Sequence, residues 1–170
     1  MVFRMLRNIY EWLKSLVIAA LLAYIIHTFL FAIVIVSGPS MEPTLHNGER
    51  LILNKIVYKI HPPERGDIIV FHATETDDYI KRVIGIPGDK IEFKNNQLFV
   101  NGQPVEEPYL GDVYTGDISP FTVPDETLYV LGDNRNNSSD SRIFGPVAID
   151  KVVGRVKIVI WPLNKLGFID

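Results

Sequence analysis

The chain has 170 residues, 47% hydrophobic and 22% charged, enough for one domain with a packed core plus an anchor and too apolar for a disordered protein. With no cysteine it can build neither a disulfide framework nor a thiolate zinc site, and its four histidines, His27, His46, His61 and His72, lack HExxH-like spacing, so metal chemistry is not expected. A net charge of −3 leaves no basic footprint for nucleic acid, so DNA and RNA are set aside as partners.

Residues 16–36, LVIAALLAYIIHTFLFAIVIV, carry no charge, and their only polar groups belong to Tyr24, His27 and Thr28. About 20 apolar residues span a bilayer as a helix, so the run predicts a transmembrane anchor. It is longer than the ~7–15-residue apolar region of a cleavable secretory signal, and it ends V-S-G-P with no A-x-A-like site, so the anchor is read as uncleaved. A buried core helix fits poorly, because so small a remainder cannot cover it on all sides. Arg4, Arg7 and Lys14 precede the run and the next basic residue is Arg50, which predicts a cytoplasmic N-terminus and an extracytoplasmic remainder. His27 reads as a neutral, tolerated side chain, since no intramembrane partner is visible.

The second half of the run, FLFAIVIV, is dense in β-branched and aromatic residues that disfavour helix and favour strand. The helix is therefore expected to end near Thr28 or Phe29, with residues 31–36 as a first strand leading into Ser37–Ser40. The expected division is a short cytoplasmic N-terminus over 1–15, an anchor over 16–30, and a β domain over 31–170.

Beyond Pro39, short apolar runs alternate with turn signals: RLILNK (50–55), DIIVFH (67–72), YIKRVIG (79–85), DKIEF (89–93), QLFVNG (97–102), TLYVLG (127–132) and VVGRVKIVIW (152–161). This spacing predicts an all-β domain, with hairpin turns at Asn95-Asn96 and Asn101-Gly102. Residues 103–126 hold Pro104, Pro108, Pro120 and Pro124, and read as a long surface excursion rather than strand. Trp161-Pro162 and Phe168 suit either a membrane interface or ordinary core packing.

Three segments are candidates for chemistry. In Tyr79-Ile80-Lys81-Arg82-Val83-Ile84, strand alternation puts Lys81 on one face with Tyr79 and Val83, and Arg82 on the other with Ile80 and Ile84. Both faces are otherwise apolar, so at least one cation sits among nonpolar neighbours. Arginine stays charged there, whereas a desolvated lysine can lose its proton and act as a base. Alone, a lysine on a strand more often snorkels to solvent. Ser40 lies in a turn fixed by Pro39 and Pro43, which holds its hydroxyl in place as a nucleophile requires, although serine is also a common turn or capping residue. The third segment, GDNRNNSSDSR (132–142), is crowded with hydroxyls and carboxylates, and a solvated loop is its default reading.

Together the three segments resemble one family. Ser40-Met41-x-Pro43-Thr44, then Tyr79-Ile80-Lys81-Arg82-Val83-Ile84-Gly85-x-Pro87-Gly88-Asp89, then Gly132-Asp133-Asn134-Arg135-x-Asn137-Ser138-x-Asp140-Ser141-Arg142 are similar to the motifs of type I signal peptidases, in the bacterial order and behind an anchor. The resemblance covers nearly the whole chain. It implies a mainly β fold, with a single N-terminal transmembrane helix followed by an antiparallel, barrel-like catalytic domain. It also implies a serine endopeptidase that removes signal peptides from exported preproteins with a Ser/Lys dyad and no cofactor.

By motif position, Ser40 is then the nucleophile and Lys81 the general base. Ser138 would bond the lysine amine and orient it, while Asp133, Asp140 and Arg142 tie the polar loop together. The Ser40 N–H would donate to the oxyanion. Some members carry a serine where this chain has Gly38, so the second oxyanion donor here would be backbone or water. Ser37 would face the other way and is not counted. Small residues at −1 and −3 of the substrate would enter shallow pockets drawn from Val34, Val36, Met41, Tyr79, Ile80 and Ser139, any of which also suits the core. The implied partners are preprotein signal peptides and the lipid bilayer, with the secretion translocon as a further candidate; the implied location is the cell membrane. Lysine rather than histidine as base, and overlapping glycosylation sequons in Asn136-Asn137-Ser138-Ser139, fit a bacterial or organellar branch. Two other readings stand beside this one. One is a membrane-anchored β peptide-binding module without catalysis; the other, a self-cleaving repressor-like protease, would need a DNA-binding helix pair where the apolar run lies.

Overall fold

The structure, a computed structural model, describes residues 2–25, 30–110 and 115–169. A first helix, α1 (Val2–Ile25), covers the expected leader and the first part of the apolar run, and its apolar side chains from Ile9 to Tyr24 are largely exposed. Among the described residues no helix is long and apolar enough to cross a membrane. The expected helix end at Thr28 or Phe29, and His27, lie outside the described residues.

The remainder is mainly β and wholly antiparallel. Strand β1 (Phe31–Ile35) pairs with β2 (Arg50–Asn54), as the β-branched run predicted. Further along come β3 (Ile68–His72), β4 (Asp78–Gly85), β9 (Thr127–Leu131), the short β10 (Val147–Ala148) and the long β11 (Val152–Trp161), with β12 (Gly167–Phe168) at its end. They form one sheet in the order β1-β2-β11-β3-β4-β9-β10, with β12 also paired to β11. Strand β1 is an edge strand. Its Phe31, Ile33 and Ile35 are exposed while Ala32 and Val34 turn inward, which is the period of two expected of a half-buried strand.

Strand β3 is buried on both faces, which is why IIVF reads as an unbroken apolar run. Ile68 and Val70 pack with Val36, Met41, Leu45, Leu51 and Leu53 under β1 and β2. Ile69 and Phe71 face the other way, against Val83, Leu128, Val130 and Val147. A second sheet, in the order β7-β6-β5-β8, is built from β5 (Lys90–Lys94), β6 (Gln97–Val100), β7 (Gln103–Val105) and β8 (Ile118–Thr122). Both predicted hairpin turns carry the positive φ such turns need, 50° and 62° at Asn95 and Asn96 and 54° and 78° at Asn101 and Gly102.

Residues 103–126 correct the sequence reading. They contain two strands and a 3-10 turn (Pro108–Leu110) rather than an unstructured excursion. Pro104 and Pro120 are tolerated because β7 and β8 are the two edges of the small sheet, where a missing N–H costs no ladder bond. Trp161 and Phe168 are both well exposed, so neither is the core residue that one reading allowed.

Candidate active site

Ser40 sits on the loop between β1 and β2. The chain leaves β1 at Val36, whose N–H donates to the Glu49 carbonyl, and turns at Gly38, whose φ of +86° favours glycine. The Gly38 N–H donates to Asn47 Oδ1 at 3.0 Å, closing the base of the loop. From across the molecule, the Asn134 N–H donates to the Ser40 carbonyl (3.0 Å) and Asn134 Nδ2 to the Pro39 carbonyl (3.1 Å). The loop after β9 therefore grips the backbone on which the Ser40 hydroxyl stands.

Lys81 reaches that hydroxyl from β4. Its Nζ lies 2.8 Å from Ser40 Oγ and 3.1 Å from the Ile80 carbonyl oxygen, with the Tyr79 ring 5.2 Å away. Lys81 is only 4% exposed. Burial pulls its pKa from the ordinary 10.5 down to about 8, against the opposing pull of Asp140 and Asp133. Near neutral pH a neutral amine is thus accessible, and in that form the Ser40 hydroxyl donates its proton toward Nζ.

The support around this pair differs from expectation at Ser138. Its Oγ is buried and makes no hydrogen bond to Lys81. The hydroxyl lies on the side of Asp140, whose carboxyl it helps to stabilise, while the Lys81 amine is taken up by Ser40 and the Ile80 carbonyl. Asp140 accepts two bonds from the Arg142 guanidinium, both at 2.8 Å, and one from the Gly132 N–H at 3.1 Å. Burial pushes its pKa up, but Arg142, Gly132 and Ser138 outweigh that and hold it below the ordinary carboxylate value.

Asp133 does not tie the loop to itself. It points at β4, where Arg82 Nε and Nη2 clasp it at 2.9 and 2.8 Å, and it accepts the Thr44 hydroxyl at 2.5 Å. Both cations of the Lys81-Arg82 pair are therefore buried, one on each face of the strand. The sequence reading left Arg82, Thr44 and Asn134 without roles. An arginine set in an apolar strand was itself a signal, because a permanent charge there needs a buried acid; Thr44 and Asn134 gave none.

A cleft of about 220 Å³ runs beside Ser40 and Lys81. All six residues expected to form substrate pockets, Val34, Val36, Met41, Tyr79, Ile80 and Ser139, line it, together with Ile35, Val70 and Asp78. Ser37, expected on the opposite face, is exposed and borders the same cleft. A larger cleft of about 460 Å³ adjoins it across Tyr79 and Ser139. Among the described residues no cluster of three or more His, Cys, Asp or Glu side chains is placed to hold a metal ion.

Residues 9–161 match the family described as signal peptidase, peptidase S26. The chain is 40% identical over 182 residues to signal peptidase IB of Staphylococcus aureus strain MRSA252, covering 96% of this chain and 95% of that one. It is 44% identical over 172 residues to signal peptidase I S of Bacillus subtilis strain 168, covering 94% and 93%. Among solved structures it is similar to a signal peptidase I from Enterococcus faecalis V583, with a TM-score of 0.53 and 37% identity over 56% of this chain and 97% of that one. With three motifs converging on one cleft and matches of this length, the chain belongs to the signal peptidase family, peptidase S26.

Proposed function

We propose that this chain is a serine endopeptidase that cleaves signal peptides from preproteins, with Ser40 as nucleophile and Lys81 as general base. The observation that carries the assignment is the 2.8 Å contact between Lys81 Nζ and Ser40 Oγ at the edge of a cleft. A buried lysine with a depressed pKa beside a held hydroxyl is the arrangement an activated serine needs. Neutral Lys81 takes the hydroxyl proton as Oγ bonds to the carbonyl carbon of the −1 residue, then gives that proton to the leaving amine. Water, deprotonated by the same lysine, hydrolyses the resulting ester and frees Ser40. The Ser40 N–H donates to the oxyanion. The Gly38 N–H is committed to Asn47, so it is not the second donor.

The substrate adds as an extended strand beside residues 34–38. Among the described residues the outer edge of β1 has no neighbour in the sheet order, and its ladder groups suit strand addition. Alternate substrate side chains, −1 and −3, then face the cleft, and its small volume favours small residues there. Asp140 and Arg142 act as supports within the loop 132–142, and Asp133 holds that loop to Arg82 of β4 and to Thr44 behind Ser40.

The apolar run anchors the protein at a bilayer, with the basic leader inside and the β domain outside. Supporting this are the charge-free stretch over 16–36, its basic leader, and the exposed apolar side chains of α1. The division is then 1–15 inside, 16–30 as anchor and 31–170 as the extracytoplasmic catalytic domain.

The test is cleavage of a preprotein bearing an A-x-A site by the detergent-solubilised protein, beside Ser40→Ala and Lys81→Ala. Cleavage at the site by wild type and its loss in both folded variants is the expected result. Full activity in either variant overturns the dyad.

A further inference from the structure

We infer that Glu107 and Tyr109, in the segment between the small sheet's β7 and β8, form a positioning clamp that holds the Ser40–Lys81 pair in register. This rests on the dyad reading above and extends it to residues outside the three motifs. Glu107 accepts Arg135 Nη2 at 2.5 Å and Nη1 at 3.2 Å. The Arg135 side chain is fully buried, and its Nε donates to the Gly132 carbonyl at 3.1 Å. The Gly132 N–H is already held by Asp140, and Arg142 joins Asp140 to the Arg135 carbonyl. Gly132 is thus fixed at both its N–H and its carbonyl, and it packs directly against Ser40.

Tyr109 grips the other half. Its hydroxyl donates to Glu107 Oε1 at 2.7 Å, and its ring lies 3.7 Å from the central guanidinium carbon of Arg82. A cation against an aromatic face is attracted by the ring quadrupole, most strongly when dry. Arg82 follows Lys81 on β4 and clasps Asp133, the neighbour of Gly132. One short segment therefore fastens the residue next to the lysine and the residues under the serine. It also keeps water off the Arg82–Asp133 pair. The groups around Lys81 are Ser40 from the loop after β1, Asp133 and Asp140 from the loop after β9, and the Ile80 carbonyl, the Tyr79 ring and Arg82 on its own strand. Loosening the clamp lets the loop that carries Gly132, Asp133 and Asp140 shift against β4, which disturbs the burial that holds the Lys81 pKa down.

The experiment compares wild type with Tyr109→Phe, Tyr109→Leu and Tyr109→Ala in detergent, measuring kcat and KM for an A-x-A preprotein from pH 6 to 10, each normalised to folded protein. Tyr109→Phe keeps the ring against Arg82 and gives up only the bond to Glu107, and is expected to lose less than either of the other two. Tyr109→Ala and Tyr109→Leu are expected to lose at least about tenfold in kcat, with KM little changed, because misplacing a nucleophile by about 1 Å can cost about 10²-fold. Their rate profiles shift to higher pH. Tyr109→Leu keeps an apolar filler at the site and carries the test if the alanine variant does not fold. Wild-type kcat and pH profile in folded Tyr109→Leu overturn the clamp, as does a loss in Tyr109→Phe equal to that in Tyr109→Ala. A wild-type protein that does not cleave overturns the dyad reading instead, and the clamp with it.

Discussion

Gly132 packs so closely beneath Ser40 that a Cβ at position 132 would collide with the Ser40 carbonyl oxygen and the Ser138 hydroxyl. The Ser40 carbonyl is also the acceptor for the Asn134 N–H, so the two loops are joined just behind the Ser40 hydroxyl. Adding one methyl must push the loops apart. Gly132→Ala is expected to destabilise the protein by about 1–3 kcal/mol, the usual range for overpacking. Its effect on catalysis is expected to be larger, about 10²-fold in kcat, because the displacement falls on the hydroxyl proposed as nucleophile. Single-turnover cleavage beside urea unfolding separates the two, and a variant with wild-type kcat would show that the contact relaxes harmlessly.

The pH dependence of cleavage follows from the lysine. Only the neutral amine can accept the Ser40 proton, and the folded-state pKa is about 8. Below that value kcat/KM should fall about tenfold for each pH unit, and above it the rate should level off, since one ionisation governs the limb. The measurement is kcat/KM from pH 5.5 to 10 at constant ionic strength. A limb centred near the free lysine value would mean that Lys81 is solvated in the working enzyme.

How much of this was legible in the sequence varies by element. The strands between turn signals were legible because each carries enough alternation or apolar length to specify itself, and the asparagine pairs announce their turns. Residues 103–126 were misread because proline was counted against strand, and only the sheet order reveals which strands are edges. Ser40 and Lys81 were singled out through motif and chemistry, and the fold places their side chains 2.8 Å apart. The bonds that join the three segments to one another span 41 to 95 residues in sequence, as from Lys81 to Ser40 and from Asn134 to Pro39, and no local pattern encodes such pairings. Ser138 shows the reverse case, in which a role carried over by position is not reproduced by the hydrogen bonds.

Lys81 also makes a stability prediction with a definite sign. Its pKa is lower in the folded state than in the unfolded chain, so between about pH 8 and 10.5 the unfolded state binds more protons and stability rises with pH. Below pH 8 both states carry the charge and the full penalty applies, at most about 3.5 kcal/mol at 1.36 kcal/mol per pH unit. Lys81→Met, which cannot titrate, should be the more stable protein at pH 7 and should lose that advantage as pH approaches 10.5. Urea unfolding of both at pH 7, 8.5 and 10 tests this; a difference that does not change with pH would count against a desolvated lysine.

Arg82 and Asp133 are both buried, and removing either strands a charge. Arg82→Met alone should cost about 3–5 kcal/mol, as for other broken buried pairs. The double variant Arg82→Met/Asp133→Leu leaves no orphan charge and should recover much of that loss. Recovery of stability need not bring back activity, since Asp133 also holds the Thr44 hydroxyl behind the Ser40 loop. A double-mutant cycle read by both urea unfolding and cleavage distinguishes the two roles. Strictly additive losses would show that the pair does not act as a unit.

The cleft makes the most direct claim about substrate. Val36 is 3% exposed, yet it borders the cleft beside Ser40 and Met41, so its side chain is both core and pocket wall. Val36→Trp places far more volume into a cleft of about 220 Å³. Some of that bulk can swing into the opening, because the cleft is not enclosed by protein on its outer side. The domain is therefore expected to stay folded, with a stability loss of about 1–3 kcal/mol from overpacking. Cleavage of an A-x-A preprotein should nevertheless fall by at least about 10²-fold in kcat/KM, because the −1 side chain no longer seats and the scissile carbonyl is held off Ser40. Val36→Ala should do the opposite, admitting larger residues at −1 at some cost in stability. If folded Val36→Trp cleaves as well as wild type, the substrate does not lie along β1 and the pocket must be sought on the far side of Tyr79.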